Sequence, residues 1–276
     1  EPVMNLYEKI LDLTRENQAF AIATITKTAG SVPGQTGFKM LVTSEGKTYG
    51  TVGGGEIEQA VKIECLKRIG NGESGLQEYI LQEKKSAVKS TGEAQVIPMM
   101  CNGRVWIFYD VPALQTPVYL FGGGHVGQAL SYFLAKLNYR VILVDNREEF
   151  VSEQKNPYAS ERIFSDYIEY TAKFQLPKNA FVIIMTQGHG FDYEILEQIY
   201  RRKLTCKYIG VIASTSKATK LLSRLREKFG KKVDLSHIYT PIGLDIGGNT
   251  ESEIALSIAA EIQAINFGKN VSHLRT

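Results

Sequence analysis

The run Val118-Tyr119-Leu120-Phe121-Gly122-Gly123-Gly124-His125-Val126-Gly127 constrains this chain more than any other segment. An apolar stretch enters a G-x-G-x-x-G turn, and the spacing of apolar residues in HVGQALSYFLAKL behind it is helical. Strand, glycine turn and helix thus follow in the order of a phosphate-binding βα unit. Gly122 permits the tight turn, Gly124 lets backbone approach a phosphate, and Gly127 lets helix and strand pack closely, while the helix N-terminus attracts the anion.

Beyond this turn, RVILVD, FVIIMT and KYIGVIA are apolar runs separated by the amphipathic segments FDYEILEQIYRR and SKATKLLSRLREKF. Continuous apolar strands alternating with amphipathic helices predict a parallel sheet with helices on both faces, which is a Rossmann-type α/β domain. Thr250 and Glu253 form a capping box ahead of IALSIAAEIQAI and predict the last helix. The pattern before residue 114 differs. A helix over residues 5–17 precedes five strand candidates, AFAIATIT, FKMLVT, KTYGTV, LQEYIL and RVWIFYDV, with GGGEIEQAVKIECLKRI as a glycine turn feeding a helix. PALQTP supplies a two-proline connection. The organisation is therefore a smaller N-terminal α+β domain over 1–114 and a Rossmann-type domain over 117–276.

Composition narrows the partners. The 32 Lys and Arg residues nearly balance 29 Asp and Glu residues and are scattered along the chain, which argues against nucleic acid. No apolar stretch approaches the roughly 18 residues that span a bilayer, and the N-terminus lacks the basic-then-apolar order of a signal peptide, so a cytoplasmic protein is expected. Cys65, Cys101 and Cys206 are far apart with no C-x-x-C pair, which supports neither a disulfide framework nor a structural zinc site.

Several residues stand where ligands bind. Asp145 ends RVILVD, 21 residues after Gly124, where a Rossmann carboxylate meets a ribose hydroxyl, and Arg147 beside it can meet a phosphate. His125 lies in the turn itself, either as a donor toward the ligand or as a surface histidine at a helix start. His189 and Asp192 follow the strand FVIIMT and form a candidate catalytic pair, the alternative being that Asp192 caps a helix beginning near Tyr193. Ser214 and Lys217 follow KYIGVIA at the same edge, either to hold phosphate or as a solvated helix start. In the N-terminal half, Gly53, Gly54 and Gly55 precede a helix; a plain turn is the default reading, the alternative being that their N–H groups cradle an anion. Glu56 and Glu58 read as first-turn helix charges there. Cys101, in a turn between strands, is a thiol able to contact molybdenum or another soft metal.

These segments together resemble the XdhC/CoxI family, accessory factors of xanthine dehydrogenase and related molybdenum hydroxylases. The resemblance runs through GSVPGQTGFKM, GTVGGGEIE, MMCNG, LFGGGHVG with VDNR, TQGHGFDYEIL, YIGVIASTSK and PIGLDIGGNTESEIALSIAAEI, and departs from the family pattern at Gln35, Asn102, Ala213 and Ser252. It implies a chaperone that binds molybdenum cofactor (molybdopterin), protects it during sulfuration and delivers it to a client such as xanthine dehydrogenase. A cysteine desulfurase as sulfur donor and a homodimer belong to the same implication. The rival reading is an NAD(P)-dependent oxidoreductase using the glycine turn, and a third is a nucleotide-sensing module without chemistry.

Overall fold

The computed structural model describes residues 5–82 and 94–274, the side chain of His189 excepted. The chain forms two compact units, Glu1–Leu114 and Gln115–Thr276.

In the first unit, alternation builds a sheet with one apolar face. Strand β1 (Phe20–Gly30) buries Ala21, Ala23 and Ile25, and β6 (Gly103–Asp110) buries Val105, Ile107 and Tyr109, the period of two that a half-covered strand requires. With β2 (Lys39–Thr43), β3 (Thr48–Gly50), β4 (Gly75–Gln82) and β5 (Gln95–Pro98) they form one sheet in the order β3-β2-β1-β6-β4-β5. Helix α2 (Glu56–Asn71) lays Ile57, Val61 and Cys65, spaced by four, on that face. Helix α1 (Leu6–Arg15), capped by Asn5 and Glu8, closes a smaller core with Leu13, Phe20 and Leu41. The sequence patterns predict five strands here, and the sixth is β5. It is four residues long, ends in Pro98 and lies at the sheet edge parallel to β4, too short for an alternating pattern to register.

The second unit is a parallel sheet of six strands: β7 (Pro117–Phe121), β8 (Arg140–Asp145), β9 (Glu161–Phe164), β10 (Phe181–Ile184), β11 (Tyr208–Val211) and β12 (Ile238–Tyr239). The order β12-β11-β10-β7-β8-β9 is, read from β9, the 3-2-1-4-5-6 order of a dinucleotide-binding fold, with its switch point between β7 and β10. All four residues of β10 and of β11 are buried because helices cover both faces. Helices α3 (His125–Lys136) and α7 (Glu251–Asn266) pack on one face, and α4 (Tyr167–Lys173), α5 (His189–Arg201) and α6 (Thr215–Phe229) on the other. Strands β9 and β12 and helix α4 have no counterpart in the sequence reading. They have four, two and seven residues, below the length at which periodicity separates from chance.

Helix α7 shows which term dominates. The Thr250–Glu253 capping box is present, and a cap of this kind contributes about 1 kcal/mol. Ile258 and Ile262, both fully buried against Leu130 and Leu134, contribute about 1.5–3 kcal/mol each. Packing therefore holds α7 in place, and the cap decides where it starts.

One polar link crosses this core. The Tyr208 hydroxyl donates to the buried Glu261 carboxylate, which also accepts the Gly243 N–H at 3.1 Å, so β11, α7 and the loop over 241–248 meet at one acid. Burial and the neighbouring Glu261 push the Tyr208 phenol well above its ordinary pKa. Replacing Tyr208 by Phe removes a donor from a buried carboxylate, and urea unfolding should report a loss of about 1–3 kcal/mol.

Candidate functional site

The glycine turn leaves β7 at Phe121 and enters α3 at His125, at the switch point of the sheet. Gly122 has φ +114°, a conformation side chains rarely adopt, and a Cβ there would stand 2.4 Å from the Met185 carbonyl oxygen at the end of β10. A Cβ on Gly127 would stand 2.3 Å from the Gly122 carbonyl oxygen. A Cβ on Gly124 would meet nothing within 4 Å. The outer two glycines are therefore demanded by the protein's own backbone, whereas the middle one faces open space above the N-terminus of α3.

The peptide of Gly123 is clamped from both sides. Its N–H donates to Asp145 Oδ2 at 2.7 Å, and its carbonyl accepts Asn156 Nδ2 at 3.1 Å and Gln128 Nε2 at 3.3 Å. Asp145 is completely buried, and Arg147 reaches it through its backbone N–H (2.9 Å), Nε (2.9 Å) and Nη2 (2.8 Å). Together with Gly123 these four donors fill the roughly four lone-pair sites of a carboxylate. Asp145, which stands where a ribose contact is expected, accepts from Gly123 and Arg147 and so braces the turn. Arg147 lies 3.8 Å over the Phe150 ring and donates through Nη1 to Gln187 Oε1 at 3.0 Å. The hydrogen-bonded Asp145 carboxylate raises its pKa further. The guanidinium thus ties the end of β8 to the loop after β10.

His125 projects at the rim with 79% of its side chain exposed, its Nδ1 3.9 Å from Glu251 Oε1 at the start of α7. The helix after β10 begins at His189 with Gly188 as its N-cap, not near Tyr193. Asp192 therefore lies within the first turn, and the capping role is corrected. It is buried, and the Thr186 hydroxyl lies 2.5 Å from its Oδ1. The His189 side chain, the other half of the proposed pair, lies outside the described residues. Ser214 is the N-cap residue of α6, but its hydroxyl makes no capping bond, and Lys217 lines a cavity together with Asp192.

In the first unit three loops gather at one end of the sheet. Gly53, at φ +121°, packs against Pro33 and Gly34; Gly55 lies near Met99; and the Ser31 N–H donates to the Asn102 carbonyl at 3.1 Å. Two of the triple glycine's three N–H groups are taken by the protein's own oxygens. Gly53 N–H donates to Thr51 Oγ1 at 3.0 Å, and one oxygen of Glu58 accepts from Gly54 N–H at 3.0 Å, Val52 N–H at 3.3 Å and the Thr51 hydroxyl at 2.5 Å. Glu58 itself occupies the place an anion would take. Cys101 is a half-buried free thiol in this loop cluster. Burial pushes the other two thiols up, Cys65 to about 12 and Cys206 to about 11. Among the described residues no group of three or more His, Cys, Asp and Glu side chains is arranged to hold a metal ion. Among them, too, no helix is long and apolar enough to cross a membrane.

Sequence reasoning missed Asn156 and Gln128 as partners of Gly123, and although Gln187 lies in the TQGHGFDYEIL segment, its bond with Arg147 is decided by the tertiary fold. It had the means to predict the closed first turn: an acid stands three positions after Gly55 but none stands in the first turn of α3.

A 3-2-1-4-5-6 sheet with a glycine turn at its switch point defines a Rossmann-type domain, here joined to an N-terminal α+β unit. Residues 118–262 match the family described as XdhC Rossmann domain, and residues 13–80 match the XdhC and CoxI family. The first match alone covers more than half of the 276 residues, and the chain belongs to the XdhC/CoxI family. Among its relatives, the Escherichia coli K12 protein YqeB, described as uncharacterized, is 27% identical over 264 residues, covering 94% of this chain and 46% of that protein. A Bacillus subtilis protein described as a probable xanthine dehydrogenase subunit is 30% identical over 143 residues, covering 52% of this chain and 41% of that protein. The chain thus spans less than half the length of these curated relatives. A crystal structure of a xanthine dehydrogenase from Bacillus halodurans superposes with a TM-score of 0.53 at 20% identity, covering 97% of both chains, and shows the same fold.

Two measurements test this geometry. Gly127→Ala forces a backbone clash and should cost about 1–3 kcal/mol in urea unfolding, whereas Gly124→Ala should stay within about 0.5 kcal/mol of the parent. Iodoacetamide should alkylate Cys101 well before Cys65 or Cys206 at pH 8, read by peptide mass mapping, because burial holds the other two as thiols.

Proposed function

We propose that this chain is an accessory factor for a molybdenum hydroxylase of the xanthine dehydrogenase type, binding molybdenum cofactor as its cargo and assisting its sulfuration and insertion. The observation that carries this reading is the ledge at Gly124: a braced turn with open space above a helix N-terminus, a place where a pterin phosphate fits without displacing protein atoms. The clamp on Gly123 supplies preorganisation, since the turn gives up little freedom when a ligand arrives. In the other unit, Cys101 is by its own chemistry a soft sulfur donor of the kind that suits molybdenum held by a dithiolene, and its part in the reading is tested separately from the glycine turn. Family membership and the printed name of the Bacillus subtilis relative supply the client class. A cysteine desulfurase as sulfur donor and a homodimeric state belong to the same reading.

The strand order and glycine turn also favour a second reading, an NAD(P)-dependent oxidoreductase. In that reading Asp145, now held by Gly123 and Arg147, would be the residue that meets the ribose.

The deciding experiment titrates the purified chain with molybdenum cofactor, NADH and NADPH under identical anaerobic conditions. Tight cofactor binding, weakened about tenfold or more in Cys101→Ser and in Gly124→Val, is the expected result. Nicotinamide binding alone would install the oxidoreductase reading, and unchanged retention in Cys101→Ser would remove that thiol from the site.

A further inference from the structure

A cavity of about 220 Å³ lies between α5 and α6 at the carboxyl end of β11. It is on the face of the sheet opposite α3, because α5 and α6 share a core with Phe121 and Val182 whereas α3 packs with Val118 and Leu120. Its apolar wall is Val211, Ile212 and Leu221. Its charged wall is Lys217, Lys220 and Arg224, spaced three and four apart and therefore on one stripe of α6. Asp192 is the single acid of the lining, and its Oδ1 is held by the Thr186 hydroxyl. The balance is three cations against one hydrogen-bonded carboxylate.

Two of these cations are not explained by the protein's own acids. Further along the same helix, Lys228 is paired with Glu197 at 2.9 Å, whereas Lys220 and Arg224 form no ion pair among the described residues. Arg224 is nevertheless fixed, its guanidinium lying 3.6 Å over the Tyr193 ring. Stacking uses the face of the guanidinium and leaves its in-plane N–H donors for an acceptor. A preorganised arginine, Lys220 and an apolar wall suit a ligand with both a charged end and an apolar body. The volume is below the roughly 300–1,000 Å³ of sites for drug-sized ligands and suits a small ligand.

We infer that this cavity binds a small organic anion, an apolar body bearing one phosphate or carboxylate, at a site separate from the glycine turn. It does not depend on the cofactor reading at the glycine turn, because the cations it relies on, Lys220 and Arg224, lie on α6, across the sheet from α3.

Isothermal titration of the whole chain with phenyl phosphate, inorganic phosphate and phenol tests it. Phenyl phosphate should bind about tenfold or more tighter than inorganic phosphate, since burying the ring adds to the anion contact, and phenol should give no heat. The double variant K220Q/R224Q should lose about tenfold or more of the phenyl phosphate affinity, and Gly124→Val should lose none. Both substituted side chains are exposed on α6, so the fold is expected to persist, checked by circular dichroism. Three results would overturn the inference. They are no binding of phenyl phosphate at millimolar concentration, equal affinity for phosphate and phenyl phosphate, or binding lost in Gly124→Val but kept in K220Q/R224Q.

Discussion

A carboxylate with no access to solvent has to find its donors inside the protein, and Asp145 finds all of them at the switch point of the sheet. An unpaired buried charge costs several kcal/mol, so Gly123 and Arg147 are held to Asp145 as firmly as Asp145 is held to them. The Gly123 N–H fixes the path of the glycine turn, and that path sets the direction in which α3 leaves the sheet. Arg147 carries the same constraint across to Gln187 in the loop after β10. Strand ends β7, β8 and β10 are thereby locked around one acid, and the space above Gly124 is defined by that lock.

The two glycine-rich turns that lead into helices make an instructive pair. Each places glycines before a helix, and each generates N–H groups that want an acceptor. In the first unit Glu58 folds back and accepts three donors, so the loop is complete in itself. In the second, α3 carries no acid in its first turn, and Asp145 satisfies only Gly123. The two turns differ in whether an acid of the following helix is folded back onto the turn's N–H groups.

The second unit also treats its two sheet faces differently. On one face α3 and α7 pack through aliphatic side chains, with Tyr208 and Glu261 pinning the loop before α7. On the other, α6 turns a basic stripe toward α5 across a small cavity. Asp192 belongs to both regions, since it lines that cavity and accepts from Thr186 beside the switch point.

Much of this was legible in the sequence, because long apolar strands, amphipathic helices, the glycine fingerprint and the Thr250–Glu253 cap are local patterns set by neighbours a few residues apart. The α/β class, the position of the glycine turn and the three N-terminal loops follow from such patterns. Elements of two to seven residues, such as β5, β9, β12 and α4, carry too few residues for a period to emerge. The fate of individual polar groups was also out of reach. Asp145 stood in a ribose-binding position by spacing, yet Arg147, two residues away, and Gly123, 22 residues away, occupy its oxygens. Asn156 reaches Gly123 across 33 residues. Sequence by itself determined which segments form strands, turns and helices, since that depends on local spacing. Only the tertiary structure decided which donors and acceptors are already satisfied, because that depends on groups brought together across the sheet.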